Sequence, residues 1–210
     1  MQKEDDRFTV KALQYVAPLL LNCLAESSQD NDSDDDDDVD ARKASSTCIG
    51  LFSQAVGDAI VPLVETFAME KFASPNQNLV ECAVLAFGSI LEGELTEQAV
   101  RPVEKILERV VGFLNNPSSE EHLRDTCCWA VGRVAQFFPS VIRNTIQHVI
   151  GCLFPNLKQN ARVSSQACWV CLSDLLPIPP FESNRIKQKE KLIVVIGTRK
   201  KGCPTSGNGL

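Results

Sequence analysis

The segment RDTCCWAVGRV at residues 124–134 decides how the rest of the chain is read. At about 100° per residue, Leu123, Cys127, Ala130, Val131, Val134 and Phe138 fall on one stripe, the pattern of a helix with a buried side. Three other segments repeat its order of residue types: RKASSTCIGLF at 42–52, VECAVLAFGSI at 80–90 and SSQACWVCLSD at 164–174. The equivalent positions Lys43, Glu81, Asp125 and Ser165 are 38, 44 and 40 residues apart. Each segment follows another apolar-periodic stretch, at 10–24, 59–72, 99–114 and 141–157, and Pro18, Pro62 and Pro102 recur in the first three. A period of roughly 40 residues with two helices per unit predicts an all-α fold, a right-handed α-α superhelix of HEAT or armadillo type with about four repeats. Paired helices without a third favour HEAT. An irregular helical bundle leaves the recurring prolines without a reason.

Punctuation agrees with this division. Ser74-Pro75, Asn116-Pro117 and Gly93 mark breaks between helices,. The stretches 76–78 and 118–121 supply capping residues before the second and third of the aligned segments. The repeats end at Leu176, and residues 177–210 show no helical period and are expected to form a poorly ordered tail. The domain reading is therefore a solenoid segment at 1–176 and a divergent tail at 177–210.

Composition bounds the class. Of 210 residues 44% are hydrophobic but only 6% aromatic, a balance that suits packed helices better than an all-β fold,. No run approaches the roughly 20 apolar residues of a bilayer span, and the charged N-terminus carries no secretory signal, so no membrane partner is expected. The nine cysteines are odd in number and lie mostly in apolar helical stretches, which favours reduced thiols of the cytosol or nucleus,. The net charge of −6 is concentrated: eight aspartates lie between Asp30 and Asp40, and without them 21 bases face 19 acids. A mixed surface with one acidic block points to a basic partner and away from nucleic acid.

That block, SSQDNDSDDDDDVDARK at 27–43, is read as an acidic loop at 30–40 between the two helices of the first repeat. Most such runs are solvated spacers. Calcium is a second reading, because Asp30-x-Asp32-x-Asp34 copies the start of an EF-hand loop, but Asp35 stands where glycine is required and Ala41 where glutamate is. Five consecutive carboxylates inside a repeat make a strong local field that a docking cation relieves, and a basic protein segment fits best.

On the third aligned helix Asp125, Trp129, Arg133 and Gln136 fall opposite the apolar stripe, and on the fourth Trp169 lies beside Ser165 and Ser173. An aromatic on the wet side of a helix calls for an explanation. Either each tryptophan wedges against a neighbouring repeat, or the two form a ladder on which Lys and Arg stems pack.

The order DSDDDDDVDARKA, LAFGSILEGE, RDTCCWAVGRVAQFFP, VSSQACW resembles the central region of the importin-beta (karyopherin-beta) family of nuclear transport receptors, over about residues 10–176. The resemblance implies a HEAT superhelix that carries cargo between cytoplasm and nucleus through the nuclear pore, without cofactors. It implies as partners the basic importin-β-binding segment of an import adaptor or basic cargo, the GTPase Ran in its GTP form, and phenylalanine-glycine nucleoporins, which use grooves between the first helices of successive repeats. The residues it carries over are Asp34, Asp35, Asp36, Asp37, Asp38 and Asp40 of the acidic run, with Trp129 and Trp169 on the inner surface, and Asp32 of the same run is a further candidate contact. One departure stands out: a family tryptophan just after the acidic run is Val39 here. Family members are several times longer, so a fragment is expected, and a truncated non-functional one is an alternative.

Enzymatic chemistry finds little support. The two histidines, His122 and His148, have no motif around them. Cys168-x-x-Cys171 lacks the second pair of a zinc site and reads as buried thiols. No Walker loop or dinucleotide turn is present. A HEAT scaffold for another complex, such as a phosphatase regulatory subunit, is the competing binding role.

Overall fold

A computed structural model describes the backbone of residues 2–27, 36–156, 163 and 165, and side chains over 8–27, 41–156 and at Val163 and Ser165. All lie in the first of the two units into which the chain divides, Met1–Leu176; the second, Pro177–Leu210, is outside the described residues, as is most of the fourth aligned segment. Among the described residues every element is helical. In order they are α1 (Gln2–Glu26), α2 (Asp36–Val56), α3 (Val61–Lys71), α4 (Gln77–Ile90), α5 (Val100–Asn115), α6 (Glu121–Phe137) and α7 (Pro139–Asn156). Short 3-10 turns, Gly57–Ile60 and Glu97–Ala99, lead into α3 and α5. The pairs α1/α2, α3/α4 and α5/α6 are antiparallel repeats; α2 packs on α4 and α4 on α6, while α3, α5 and α7 follow one another in the other layer. This is a solenoid of the expected kind.

Helices α3, α4 and α5 start for local reasons. Pro62 and Pro102 lie in the first turns of α3 and α5, where the missing N–H has no helical partner in any case,. Pro18 is different, because α1 continues through it. The Asn76 carboxamide oxygen caps α4 by accepting from the Asn78 N–H at 3.0 Å. The expected cap at 118–121 takes another form. Glu120 precedes α6 without a side-chain cap bond. The preceding repeat grips the turn instead: Gln77 Nε2 donates to the Ser118 carbonyl at 3.0 Å, and Gln77 Oε1 accepts from the Glu120 N–H at 2.7 Å. Capping here is shared between repeats.

The seams hold polar contacts inside an apolar core. Ser53 Oγ donates to the Ile90 carbonyl at 2.8 Å, the Ser46 and Ser89 hydroxyls stand 2.8 Å apart, and Cys82 Sγ donates to the Leu24 carbonyl at 3.3 Å. Phe87, Ile90 and Leu91 are fully buried, because α4 has neighbours on both sides. Of the cysteines, Cys82, Cys127, Cys128 and Cys152 are buried and Cys23 and Cys48 exposed. Burial raises the Cys127 thiol well above its usual pKa, with Cys128 and Glu81 adding to it, and burial likewise raises Cys152. These thiols stay protonated and act as small core hydrophobes.

Two stretches, Phe8–Glu26 and Ala41–Lys71, are by length and mean hydropathy alone long enough to cross a bilayer, although polar residues interrupt any unbroken apolar run in both. The second is broken by the Gly57–Ile60 turn, and both belong to stacked repeats.

Gly88 provides a test of the packing. A methyl group there would stand 2.2 Å from Trp129 Cζ3, whereas one at Gly112 on α5 would meet nothing within 4 Å. Helix propensity alone favours Ala over Gly by about 1 kcal/mol, and overpacking costs about 1–3 kcal/mol. Gly112→Ala is expected to raise the urea midpoint. Gly88→Ala is expected to lower it and to red-shift tryptophan emission as the indole is pushed outward.

Candidate partner-binding surface

The acidic run enters the fold at the start of a helix. Helix α2 begins at Asp36, so Asp36, Asp37, Asp38 and Asp40 belong to its first turns and not to a loop, which corrects the expected loop boundary. The first four N–H groups of a helix lack helical acceptors and present the positive end of its dipole, so carboxylates there are stabilising. Asp32, Asp34 and Asp35 lie outside the described residues, as does the EF-hand-like start at Asp30. Among the described residues no group of three or more His, Cys, Asp or Glu converges as metal ligands do.

One turn further along α2, Arg42 reaches across to α4 and pairs with Glu81 at 2.7 Å. The Glu81 side chain is 9% exposed and accepts a second bond, from the Thr126 hydroxyl of α6, at 2.6 Å. His122 Nε2 stands 3.7 Å from the same carboxylate, and Glu120 lies 3.5 Å from His122 Nδ1. Glu81 therefore ties α2, α4 and α6 together. Repeat register explains it: Glu81 and Thr126 are one position apart in the aligned segments, so each meets the helix before or after its own.

Two turns on lies the aromatic part of the surface. Trp129 is half-buried, its six-membered ring seated on Gly88 of α4. The guanidinium carbon of Arg133 stands 5.6 Å from the Trp129 ring centre and 4.9 Å from that of Phe137. Arg133 also pairs with Glu92 at 2.9 Å and donates through Nε to the Gly88 carbonyl at 3.4 Å. The helical wheel put Asp125, Trp129, Arg133 and Gln136 on one wet face. Instead Asp125 is buried, Trp129 and Arg133 are half-buried, and only Gln136 is exposed. The wheel allowed for two environments, but a helix in the middle of a solenoid has three: its own hairpin partner, the adjoining repeats, and solvent. Trp129 does wedge against the neighbouring repeat, while keeping part of its ring accessible. Trp169 lies outside the described residues.

Sequence reasoning passed over Gly88, Glu92 and Phe137. A signal was present: Gly50, Gly88 and Gly132 occupy one position in three aligned segments, and a residue without a side chain repeated at one register marks a close approach,. On the other layer, α5 and α7 enclose a groove of about 980 Å³ with Leu107, Val111, Val141 and Val149 at its floor and Arg101 and Glu108 among its walls. His148 borders it, while the partners of His122 among the described residues are Glu81 and Glu120.

The model of the HEAT-like repeat matches residues 78–134. Importin subunit beta-1 of Arabidopsis thaliana is 34% identical over 168 residues, which is 77% of this chain and 19% of the relative. Importin subunit beta-1 of Schizosaccharomyces pombe is 29% identical over 185 residues, covering 87% of the chain and 21% of the relative. The solved Kap95:Nup1 complex contains a chain that superposes with a TM-score of 0.69 at 25% identity, over 80% of this chain and 19% of that one. The chain thus spans about a fifth of the length of the curated relatives it matches.

Proposed function

We propose, on the premise that this chain is a homologue of a segment of importin subunit beta, that its layer formed by α2, α4 and α6 binds a Lys- and Arg-rich protein segment during nuclear import. One observation carries the proposal. The acidic run leads directly into α2, and the same helix layer continues through Glu81 and Glu92 to a partly accessible Trp129 on α6. Negative charge at one end and an aromatic ring further on suit an extended basic peptide, whose cations meet carboxylates and whose stems lie on rings. The partners this implies are the basic segment of an import adaptor or basic cargo, and Ran-GTP as the competitor that releases it. The role is binding, not catalysis, and places the protein in cytoplasm and nucleus. By the family's use of grooves between first helices, the α5–α7 groove is the place for nucleoporin phenylalanines, in keeping with the Nup1 partner of the solved relative.

The test is a fluorescence-anisotropy titration of a labelled Lys/Arg-rich peptide at several salt concentrations. Binding should weaken steeply with salt, because exposed charge pairs are screened over about 8 Å at 0.15 M. Trp129→Ala should lose about fivefold to tenfold, the equivalent of roughly 1 kcal/mol for a cation on an indole. Salt-independent binding, or none, would refute the reading. Recovery of a phosphatase catalytic subunit by the chain in place of Ran and import adaptors would favour a HEAT scaffold.

A further inference from the structure

We infer that Arg133 is an internal occupant of the Trp129 ring, and that a basic partner must displace it, so Arg133 sets the affinity of this part of the surface. The inference rests on the proposed role of Trp129 as a contact for cationic side chains. Arg133 already makes the interactions that such a partner would bring. Its guanidinium sits over Trp129 and Phe137, and it donates through Nη2 to Glu92 and through Nε to the Gly88 carbonyl. The Arg133 side chain is 19% exposed and that of Glu92 51%, so the pair lies at the rim, where exchange with an outside cation needs no unfolding.

Repeat register sharpens this. The positions equivalent to Arg133 are Leu51, Ser89 and Ser173, so only the third aligned segment carries a cation there. Trp129 has Arg133 four residues on, while Trp169 has Ser173. The two tryptophans are therefore unequal: Trp129 carries its own competitor, and the sequence gives Trp169 none at that position. An incoming Lys or Arg at Trp129 has to outcompete a tethered guanidinium for both the ring and the Glu92 carboxylate. Exposed cation–π contacts and rim ion pairs are individually weak, so displacement is feasible but lowers net affinity.

The experiment is the same peptide titration on the full chain with Arg133→Met, Arg133→Lys, and Arg109→Met as a charge control on the exposed side of α5. Met keeps an apolar stem over the rings while removing the cation. Arg133→Met should bind the peptide about fivefold tighter, the factor matching one weak cation–π contact released. Arg133→Lys should stay near the parent value, and Arg109→Met should change affinity less than twofold. With Trp129→Ala as background, the gain from Arg133→Met should fall well below fivefold, leaving only the part that comes from freeing Glu92, since two residues acting through one site are coupled,. Unchanged or weaker binding by Arg133→Met, or an equal gain from Arg109→Met, overturns the inference while leaving peptide binding itself intact. Failure of the parent chain to bind, or of Trp129→Ala to weaken it, overturns the underlying role of Trp129 and this inference with it.

Discussion

A chain in which Asp34, Asp35, Asp36, Asp37 and Asp38 are all serine is expected to bind a Lys/Arg-rich peptide about fifty-fold more weakly at 0.01 M salt, but only about eightfold more weakly at 0.15 M. Two unit charges about 7 Å apart in water attract by about 0.6 kcal/mol, so five such pairs amount to about 3 kcal/mol. A screening length of about 30 Å at low salt removes roughly a fifth of this, and one of about 8 Å at physiological salt removes more than half. Stability should barely respond. A carboxylate in the first turn of a helix is favoured by a few tenths of a kcal/mol to about 1 kcal/mol, but serine also serves well at a helix start and mutual repulsion disappears. Anisotropy titration and thermal melting on the same protein separate the two effects. Equal affinity at 0.01 M salt would remove the acidic run from the binding surface.

The repeat was legible in the sequence because its strongest signal, the inward stripe of each second helix, depends only on local periodicity. Leu123, Cys127, Ala130, Val131, Val134 and Phe138 are all buried, as their spacing required. What the sequence hid is the side-to-side seam. Trp129 looks exposed on a wheel because the residue that receives it, Gly88, belongs to a helix about forty positions away. Gly88 creates the seat for Trp129, and an absent side chain leaves no mark in an apolar pattern. The α6 cap failed for the same reason, since Gln77 supplies it from the preceding repeat.

The candidate site was legible in its chemistry and less so in its placement. A block of aspartates reads as loop because Asp is a poor helix former in a helix interior. At the first turn the balance reverses: the unpaired N–H groups and the dipole favour carboxylates, and α2 starts at Asp36,. Arg133 was visible as a basic residue four positions after Trp129. Only the geometry brings its guanidinium over the rings and onto Glu92.

Glu81→Ala is expected to destabilise the chain by about 2–4 kcal/mol, near the cost of removing one partner from a largely buried ion pair. Glu81 accepts from two neighbouring repeats, through Arg42 at 2.7 Å and Thr126 at 2.6 Å. Truncation strands both donors. Arg42, with 27% of its side chain exposed, can turn to water, which keeps the loss below that of a fully buried charge. Glu81→Gln should lose only about 1 kcal/mol, because its carbonyl still accepts from Thr126 while the charge on Arg42 goes unanswered. Replacing both ends, as Arg42→Met with Glu81→Leu, should restore most of the stability, since apolar residues of similar volume commonly match a buried pair. Urea unfolding of the three proteins measures all of this. A loss as large in the double variant as in Glu81→Ala would mean that packing, and not the pairing of charges, holds α2 to α4. The pair also matters for binding. Arg42 lies two residues after Asp40, so its anchor sets where the acidic first turn of α2 stands relative to Trp129. In the double variant the fold should therefore recover more fully than the affinity for a basic peptide, because the seam is filled again but no directional contact fixes that turn.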